Sequence, residues 1–90
     1  MMDTNSKIDL ILREHISVFK IDILDESYKH KNHKKDTSGG HFRLLIVSDD
    51  FKGISLISRH RLIYQVLDKM IKTEIHALSI KALSIDEYNN

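Results

Sequence analysis

The stretch from residue 41 to residue 88 predicts a strand, a turn, a long helix and a second strand in one compact run. Its first strand has a core of four apolar residues, 44–47, which is typical of a strand flanked on both sides. A helix from about residue 59 to 71 and a strand at 75–82 follow. Because a long helix crosses between two strands, we expect a parallel pair in the sheet, and we expect the first two strands of the chain to run antiparallel.

The residues before this block predict a helix, a strand and a loop. Apolar residues recur at helical spacing over 7–15, and residues 19–23 alternate between apolar and polar as in a half-buried strand. Residues 26–40 lack periodicity, and we expect a long, mobile loop there. Residues 49–53 form a turn and 54–58 a short helical piece, while Ser84 and Glu87 match a capping box that starts a last helix.

The elements therefore follow the order α-β-β-(α)-α-β-α, which predicts an α+β domain with a three-stranded mixed sheet and helices on one face. Five residues form the expected buried stripe of the main helix: Leu62, Ile63, Val66, Leu67 and Met70. A chain of 90 residues makes one domain. We expect residues 1–90 to form that domain, with a core at about 7–88.

Composition excludes several classes of protein. The chain has no cysteine, so it forms no disulfide, and a metal would need histidine, carboxylate or a partner's thiolate. The net charge is +1, so no global field favours nucleic acid or membranes. No apolar run approaches the length of a membrane span, and the N-terminal residues resemble neither a signal peptide nor a presequence. We expect a cytoplasmic protein.

Five short motifs, in this order and spacing, resemble the BolA family. They are DESYKH at 25–30, HFRLLIVSD at 41–49, FKG at 51–53, RHRLIY at 59–64 and IHALSIKA at 75–82. The resemblance covers essentially residues 7–88 and implies a KH-like fold of the second topological class, with the order α-β-β-α-α-β-α.

The resemblance also implies a function. BolA-like proteins pair with monothiol glutaredoxins and share a bridging two-iron, two-sulfur (2Fe-2S) cluster, in cluster trafficking and iron regulation. The glutaredoxin cysteine and glutathione ligate one side, and histidines of the BolA-like protein ligate the other. The matching residues are His76 and, in the long loop, His30. The loop reads KNHKKDTSGG where the family has a Pro/Gly-containing stretch, and it adds His33, which could replace His30.

Imidazole ligands suit a transferable cluster, because they donate less charge than thiolates and make attachment sensitive to pH. We expect no cofactor in the isolated chain. Strand parity puts His76 on the same side as Leu78 and Ile80, so it could also be a hydrogen-bonded residue at the core rim. His30 could be solvated, or could bind a divalent metal with His33. His41 has a structural or surface role in this interpretation.

The basic residues suggest a second function. The loop carries Lys29, Lys31, Lys34 and Lys35, which could be solvated or could contact phosphates. Some BolA-like proteins are described as DNA-binding regulators, although the GxxG loop of nucleic-acid-binding KH domains is absent here. We expect Arg59, His60 and Arg61, together with His76, to contact a partner, the arginines meeting an acidic surface or glutathione carboxylates.

No sequence motif indicates an enzyme, because a cysteine nucleophile, a phosphate-binding loop and a GxSxG motif are all absent. Three hypotheses remain: a cluster-sharing partner of a glutaredoxin, a nucleic-acid-binding regulator, and an adaptor that binds a glutaredoxin through the 59–76 region without a cluster.

Overall fold

A computed structural model describes residues 2–27 and 40–90 of the chain. The three strands are β1 (Lys20–Asp25), β2 (Gly40–Val47) and β3 (Ile75–Leu83). The α-helices are α1 (Thr4–His15), α2 (Leu56–Val66), α3 (Asp68–Thr73) and α4 (Ile85–Asn89), and a short 3₁₀ helix spans Asp49–Phe51. The predicted loop at 26–40 lies mostly outside the described residues.

The sheet has the order β1-β2-β3, with β2 in the centre. β1 pairs with β2 in antiparallel orientation, and β3 pairs with β2 in parallel orientation, as the sequence predicts. The reason is the connection: α2 and α3 carry the chain back across the sheet between β2 and β3, which returns β3 in the direction of β2. The α+β prediction is confirmed.

One face of the sheet carries the hydrophobic core. The even-numbered residues of β2, Phe42, Leu44 and Ile46, are at most 5 % exposed. Helices α1 to α3 cover this face with buried apolar side chains, which are Ile8, Leu12, Ile63, Leu67 and Met70. Phe42, Leu44 and Ile46 alternate with residues of the opposite face, so the period of two in β2 separates the core from that second face.

The expected helix at 59–71 is instead two helices. α2 begins at Leu56 because the Ser55 hydroxyl accepts a hydrogen bond from the backbone N–H of Ser58, at 3.2 Å. Leu67 (φ −97°, ψ 14°) separates α2 from α3. The predicted stripe is nevertheless correct, since the two helices bury the same face.

The second face of the sheet carries the odd-numbered residues of β2 and their neighbours on β3. α4 borders this face, where its Glu87 and Tyr88 line a shallow groove with Arg43, Leu45 and Lys81. The prediction of helices on one face therefore holds for α1 to α3, while α4 lies at the end of the opposite face. The predicted capping box is present: Ser84 and Glu87 bind each other's backbone N–H groups at 3.2 and 2.8 Å.

The guanidinium of Arg59 joins three elements. Its Nε donates to the carbonyl of Ile54 at 2.8 Å, and its Nη1 donates to the carbonyl of Ala82 in β3 at 2.9 Å. The same group binds both carboxylate oxygens of Glu87 in α4, at 2.7 and 3.2 Å. Because the Arg59 side chain is 5 % exposed, these contacts are shielded from water on the arginine side.

The Arg59 guanidinium and the backbone N–H of Ser84 hold the pKa of Glu87 down at about 2. A carboxylate whose pKa falls on folding stabilises the folded state above its unfolded pKa, near 4.5, and stops doing so as the pH falls through about 2.

We therefore expect Glu87→Gln to lower the urea midpoint of unfolding at neutral pH, with a difference from wild type that shrinks between about pH 4.5 and pH 2. Asp86→Asn is the matched control, since Asp86 is exposed on the same helix and should change the midpoint little. A Glu87→Gln difference that stays constant with pH would contradict the role assigned to this pair.

Candidate functional site

An extra residue at the start of β3 determines where His76 points. Gly40 of β2 pairs with Ile75, but the next residue, His41, pairs with Ala77, so His76 is inserted between two paired residues. Such a β-bulge interrupts the alternation of side chains along the strand. Ile75 is buried in the core, and His76 and Ala77 are both exposed.

The prediction from parity that His76 shares a face with Leu78 and Ile80 is therefore wrong. Leu78 and Ile80 pack against the core, and Ile75 takes the place that strict alternation would give to His76. The physical reason is the bulge, which shifts the phase of the strand by one residue and turns the imidazole outward.

The bulge brings His76 next to His41. The two ring centroids are 5.1 Å apart, and the ring planes are tilted by 51°. His41 is half-buried on the second face of the sheet, and His76 is exposed. His41 was expected to have only a structural or surface role, so its pairing with His76 was not predicted. A signal did exist, since both histidines lie near the starts of strands that a helical crossover joins, and the starts of parallel neighbours meet at one end of a sheet.

The backbone around His41 is held closely. Its N–H donates to the Ser27 hydroxyl at 3.1 Å, and its carbonyl accepts from the N–H of Glu26 at 2.7 Å. Glycine is needed at position 40, because a Cβ there would lie 2.5 Å from Cε2 of Phe42 and 2.7 Å from Oγ of Ser27. An open hollow of about 370 Å³ adjoins His41 and is lined by Glu26, Phe42, Ala77, Leu78 and Ser79.

Helix α2 lies along the outer edge of β3. The Tyr64 hydroxyl donates to the carbonyl of Leu78 at 3.1 Å, which ties the exposed side of the helix to the strand that carries His76. Ile57, His60 and Arg61 precede Tyr64 by seven, four and three residues, so they share its side of the helix. Ile57 is 65 % exposed, Tyr64 is 41 % exposed, and Arg61 is also exposed. We call Ile57, His60, Arg61 and Tyr64, with the adjoining start of β3, the α2–β3 surface.

Arg59 does not belong to this surface. We expected it to meet a partner's acidic groups, but its residue is 4 % exposed and its guanidinium binds Glu87 and two backbone carbonyls. The expectation that Arg59 contacts a partner is therefore wrong, because this side chain connects elements inside the protein. Of the two arginines, Arg61 is the exposed one, and His60 between them is half-buried.

The loop residues of the predicted site, His30, His33, Lys29, Lys31, Lys34 and Lys35, lie outside the described residues. Within residues 2–27 and 40–90, no group of three or more histidine, cysteine, aspartate or glutamate side chains could hold a metal ion. The described site thus offers two neighbouring imidazoles. That set fits a metal centre to which another molecule supplies further ligands, and it does not fit a closed four-ligand site.

Fold and site together define a small α+β domain that presents a histidine pair beside an exposed helix. The model of the BolA-like protein family matches residues 12–87, and the chain belongs to this family. No helix in the described part is long and apolar enough to cross a membrane.

Three known proteins illustrate the similarity. The DNA-binding transcriptional regulator BolA of Escherichia coli is 33 % identical over 87 residues, which span 97 % of this chain and 81 % of the relative. The structure of BolA1 from Arabidopsis thaliana has a TM-score of 0.83 and 33 % identity, covering 97 % of this chain and 98 % of its own. The BolA domain of SufE1 from the same plant has a TM-score of 0.82 and 39 % identity, covering 97 % and 99 %.

The different environments of two neighbouring arginines give a test of the site's architecture. Arg59→Ala should lower the free energy of unfolding by roughly 3 kcal/mol, because it leaves two backbone carbonyls and a carboxylate without their donor. Arg61→Ala, on the exposed side of the same helix, should change it by less than about 0.5 kcal/mol. Urea unfolding followed by circular dichroism measures both, and equal effects of the two variants would contradict the assignment.

Proposed function

We propose that this protein pairs with a monothiol glutaredoxin and shares a bridging 2Fe-2S cluster with it, in iron–sulfur cluster trafficking and iron regulation in the cytoplasm. The observation that carries the proposal is the outward position of His76, which the bulge in β3 places on the surface beside His41. Family membership supports it, because the resemblance assigns the ligand role to this histidine.

The ligand inventory supports a shared cluster over one held by this chain alone. A 2Fe-2S cluster takes four terminal ligands, two for each iron, which are thiolates or, on one iron, imidazoles. The chain has no cysteine, and its described residues present two imidazoles together. A glutaredoxin cysteine and a glutathione thiolate would supply the ligands of the second iron. When bound, the cluster provides a redox-active and transferable group, and imidazole ligation raises its potential relative to ligation by thiolates alone.

The α2–β3 surface supports a protein partner. Its exposed Ile57 and Tyr64 offer apolar area, and Arg61 adds a positive charge that suits a carboxylate of the partner or of glutathione. The hydrogen bond from Tyr64 to Leu78 keeps this helix face beside the strand that carries His76. A partner docked on the helix would therefore lie near the imidazole pair. In this proposal the chain binds and presents a cluster and has no catalytic role.

The test mixes the protein with a monothiol glutaredoxin, iron, sulfide and glutathione under anaerobic conditions. We expect a visible circular dichroism spectrum distinct from that of the cluster-bound glutaredoxin homodimer, and we expect His76→Ala to abolish the difference. His15→Ala is the matched control, because His15 lies on α1 with its Nδ1 2.9 Å from the carbonyl of Ile11. A wild-type mixture with the spectrum of the homodimer would contradict the proposal.

The same mixture distinguishes an adaptor from a cluster-sharing partner. Association that needs no iron and survives His76→Ala would indicate an adaptor that binds through the α2–β3 surface. Association that depends on both iron and His76 would support the shared cluster.

The relative in Escherichia coli named a DNA-binding transcriptional regulator favours a second candidate function. In this alternative, Lys29, Lys31, Lys34 and Lys35 contact phosphates, although they lie outside the described residues. Retention on duplex or single-stranded DNA at about 150 mM salt, with loss on Lys34→Gln/Lys35→Gln, would support it. Binding that disappears at that salt concentration would indicate nonspecific attraction. Lys52→Gln is the control, because Lys52 is an exposed lysine outside the loop, 3.8 Å from a carboxylate oxygen of Asp86.

A further inference from the structure

We propose that the shallow groove on the second face of the sheet binds an acidic peptide segment of another protein, whose apolar side chain rests on the floor of the groove. The groove has a volume of about 450 Å³ and lies between the outward side chains of β2 and β3 and the helix α4. The inference goes beyond the proposed function and does not depend on it, because helices α1 to α3 cover the opposite face of the sheet.

The floor of the groove is apolar. Leu45 of β2 lies on the second face, and Leu83 of β3 lies on it too, because it pairs with Val47, two residues after Leu45. Both leucines are half-buried, and the neighbouring Tyr88 of α4 is 38 % exposed. Water contacts this apolar area in the free protein, so covering it with an apolar side chain of a ligand is favourable.

Two exposed cations, Arg43 and Lys81, stand beside this floor, and we call them the rim cations. Lys81 pairs with Leu45 across the strands, and within residues 2–27 and 40–90 its ammonium forms no ion pair. The Arg43 guanidinium is 3.5 Å from a carboxylate oxygen of Glu26, but its side chain is 62 % exposed. A guanidinium has five N–H donors, so Arg43 can bind a further carboxylate.

The acidic side chains nearby are engaged with cations of this protein. Glu87 lines the groove, but both of its carboxylate oxygens are bound by the buried Arg59, at 2.7 and 3.2 Å. Asp22 of β1 lies opposite Leu45, and its carboxylate is 3.6 Å from the ammonium of Lys20. The positive charge of the rim cations therefore remains available, and it favours an acidic ligand over a basic one.

The combination of charge and apolar floor favours a peptide over a nucleic acid. The rim cations lie on adjacent strands and two residues apart along them, which places their Cβ atoms roughly 8 Å from each other. Phosphates of a nucleic acid would contact the cations and leave the floor uncovered. A peptide with acidic residues on both sides of an apolar one satisfies both features, as is usual for sites that combine apolar lining with a few polar groups.

The experiment titrates the isolated protein into a fluorescein-labelled peptide, Glu-Glu-Leu-Phe-Glu-Glu, and follows fluorescence anisotropy. The peptide Lys-Lys-Leu-Phe-Lys-Lys reverses the charge and keeps the apolar residues, and Glu-Glu-Ser-Ser-Glu-Glu keeps the charge and removes the apolar residues. We expect the first peptide to bind about tenfold or more tightly than either control, with an affinity that falls as the salt concentration rises. Equal binding of the acidic and the basic peptide would overturn the proposal.

Substitutions in the protein locate the binding site. Lys81→Glu should weaken binding of the acidic peptide about fivefold or more, because it reverses one of the rim cations. Tyr88→Ser should weaken it by a similar factor, because it removes part of the floor. Lys69→Glu is the matched control and should bind as wild type does, since Lys69 is an exposed lysine on α3, on the other side of the sheet.

The α2–β3 surface is the alternative binding site for such a peptide, because Arg61 lies there beside apolar side chains. Loss of affinity in Arg61→Glu, with no loss in Lys81→Glu, would overturn the proposal in favour of that surface.

A measurement on the wild-type protein removes the dependence on variants. In an NMR titration with the acidic peptide, the backbone amide signals of Leu45, Lys81, Leu83 and Tyr88 should shift at the lowest concentrations. Shifts of these signals with a short DNA duplex or with phosphatidylglycerol vesicles, and none with the peptide, would overturn the assignment of a peptide ligand.

This proposal and the proposed function fail in different ways, since the peptide titration needs neither iron nor a glutaredoxin. Peptide binding in the groove, with no new spectrum in the glutaredoxin mixture, would support the groove and remove the partnership. A new spectrum without peptide binding would support the partnership and overturn the role of the groove.

Discussion

The parallel pairing of β3 with β2 is the constraint on which the rest of the structure depends. β2 is the central strand, and its Leu44 and Ile46 are fully buried between the helices and the neighbouring strands. Helices α2 and α3 exist as a crossover because two parallel strands need one, and they cover the core face while returning the chain to the sheet. The register of this one pairing also decides which side chains of β3 reach the second face.

That register contains an irregularity where the candidate site lies. A bulge places one extra residue in β3, so Ile75 can fill the core while His76 faces outward. Strict alternation back from Leu78 would bury His76 and expose Ile75. The irregularity satisfies both side chains, and bulges are often found beside functional residues for this reason.

The parts of the fold that sequence could predict are those set by local patterns. The order of elements follows from periodicity, and the strand directions follow from connections such as the crossover between β2 and β3. The Ser84–Glu87 capping box is a spacing of three residues, and it was predicted correctly. The break at Leu67 was missed, because two helices that bury the same face leave an uninterrupted apolar stripe. The bulge at His76 and the burial of Arg59 depend on residues distant in sequence, such as Gly40 and Glu87, and no local pattern contains them.

The hydrogen bonds from side chains of α2 to carbonyls of β3 also affect whether copies of this protein can associate through their sheet edges. β3 lies at the border of the sheet, where carbonyl and amide groups could accept a foreign strand and extend the sheet from one molecule to the next. Tyr64 and Arg59 occupy the carbonyls of Leu78 and Ala82, so an incoming strand would have to displace a helix before it could form a continuous ladder. The same contacts that position the helix thus protect the protein against intermolecular β-aggregation.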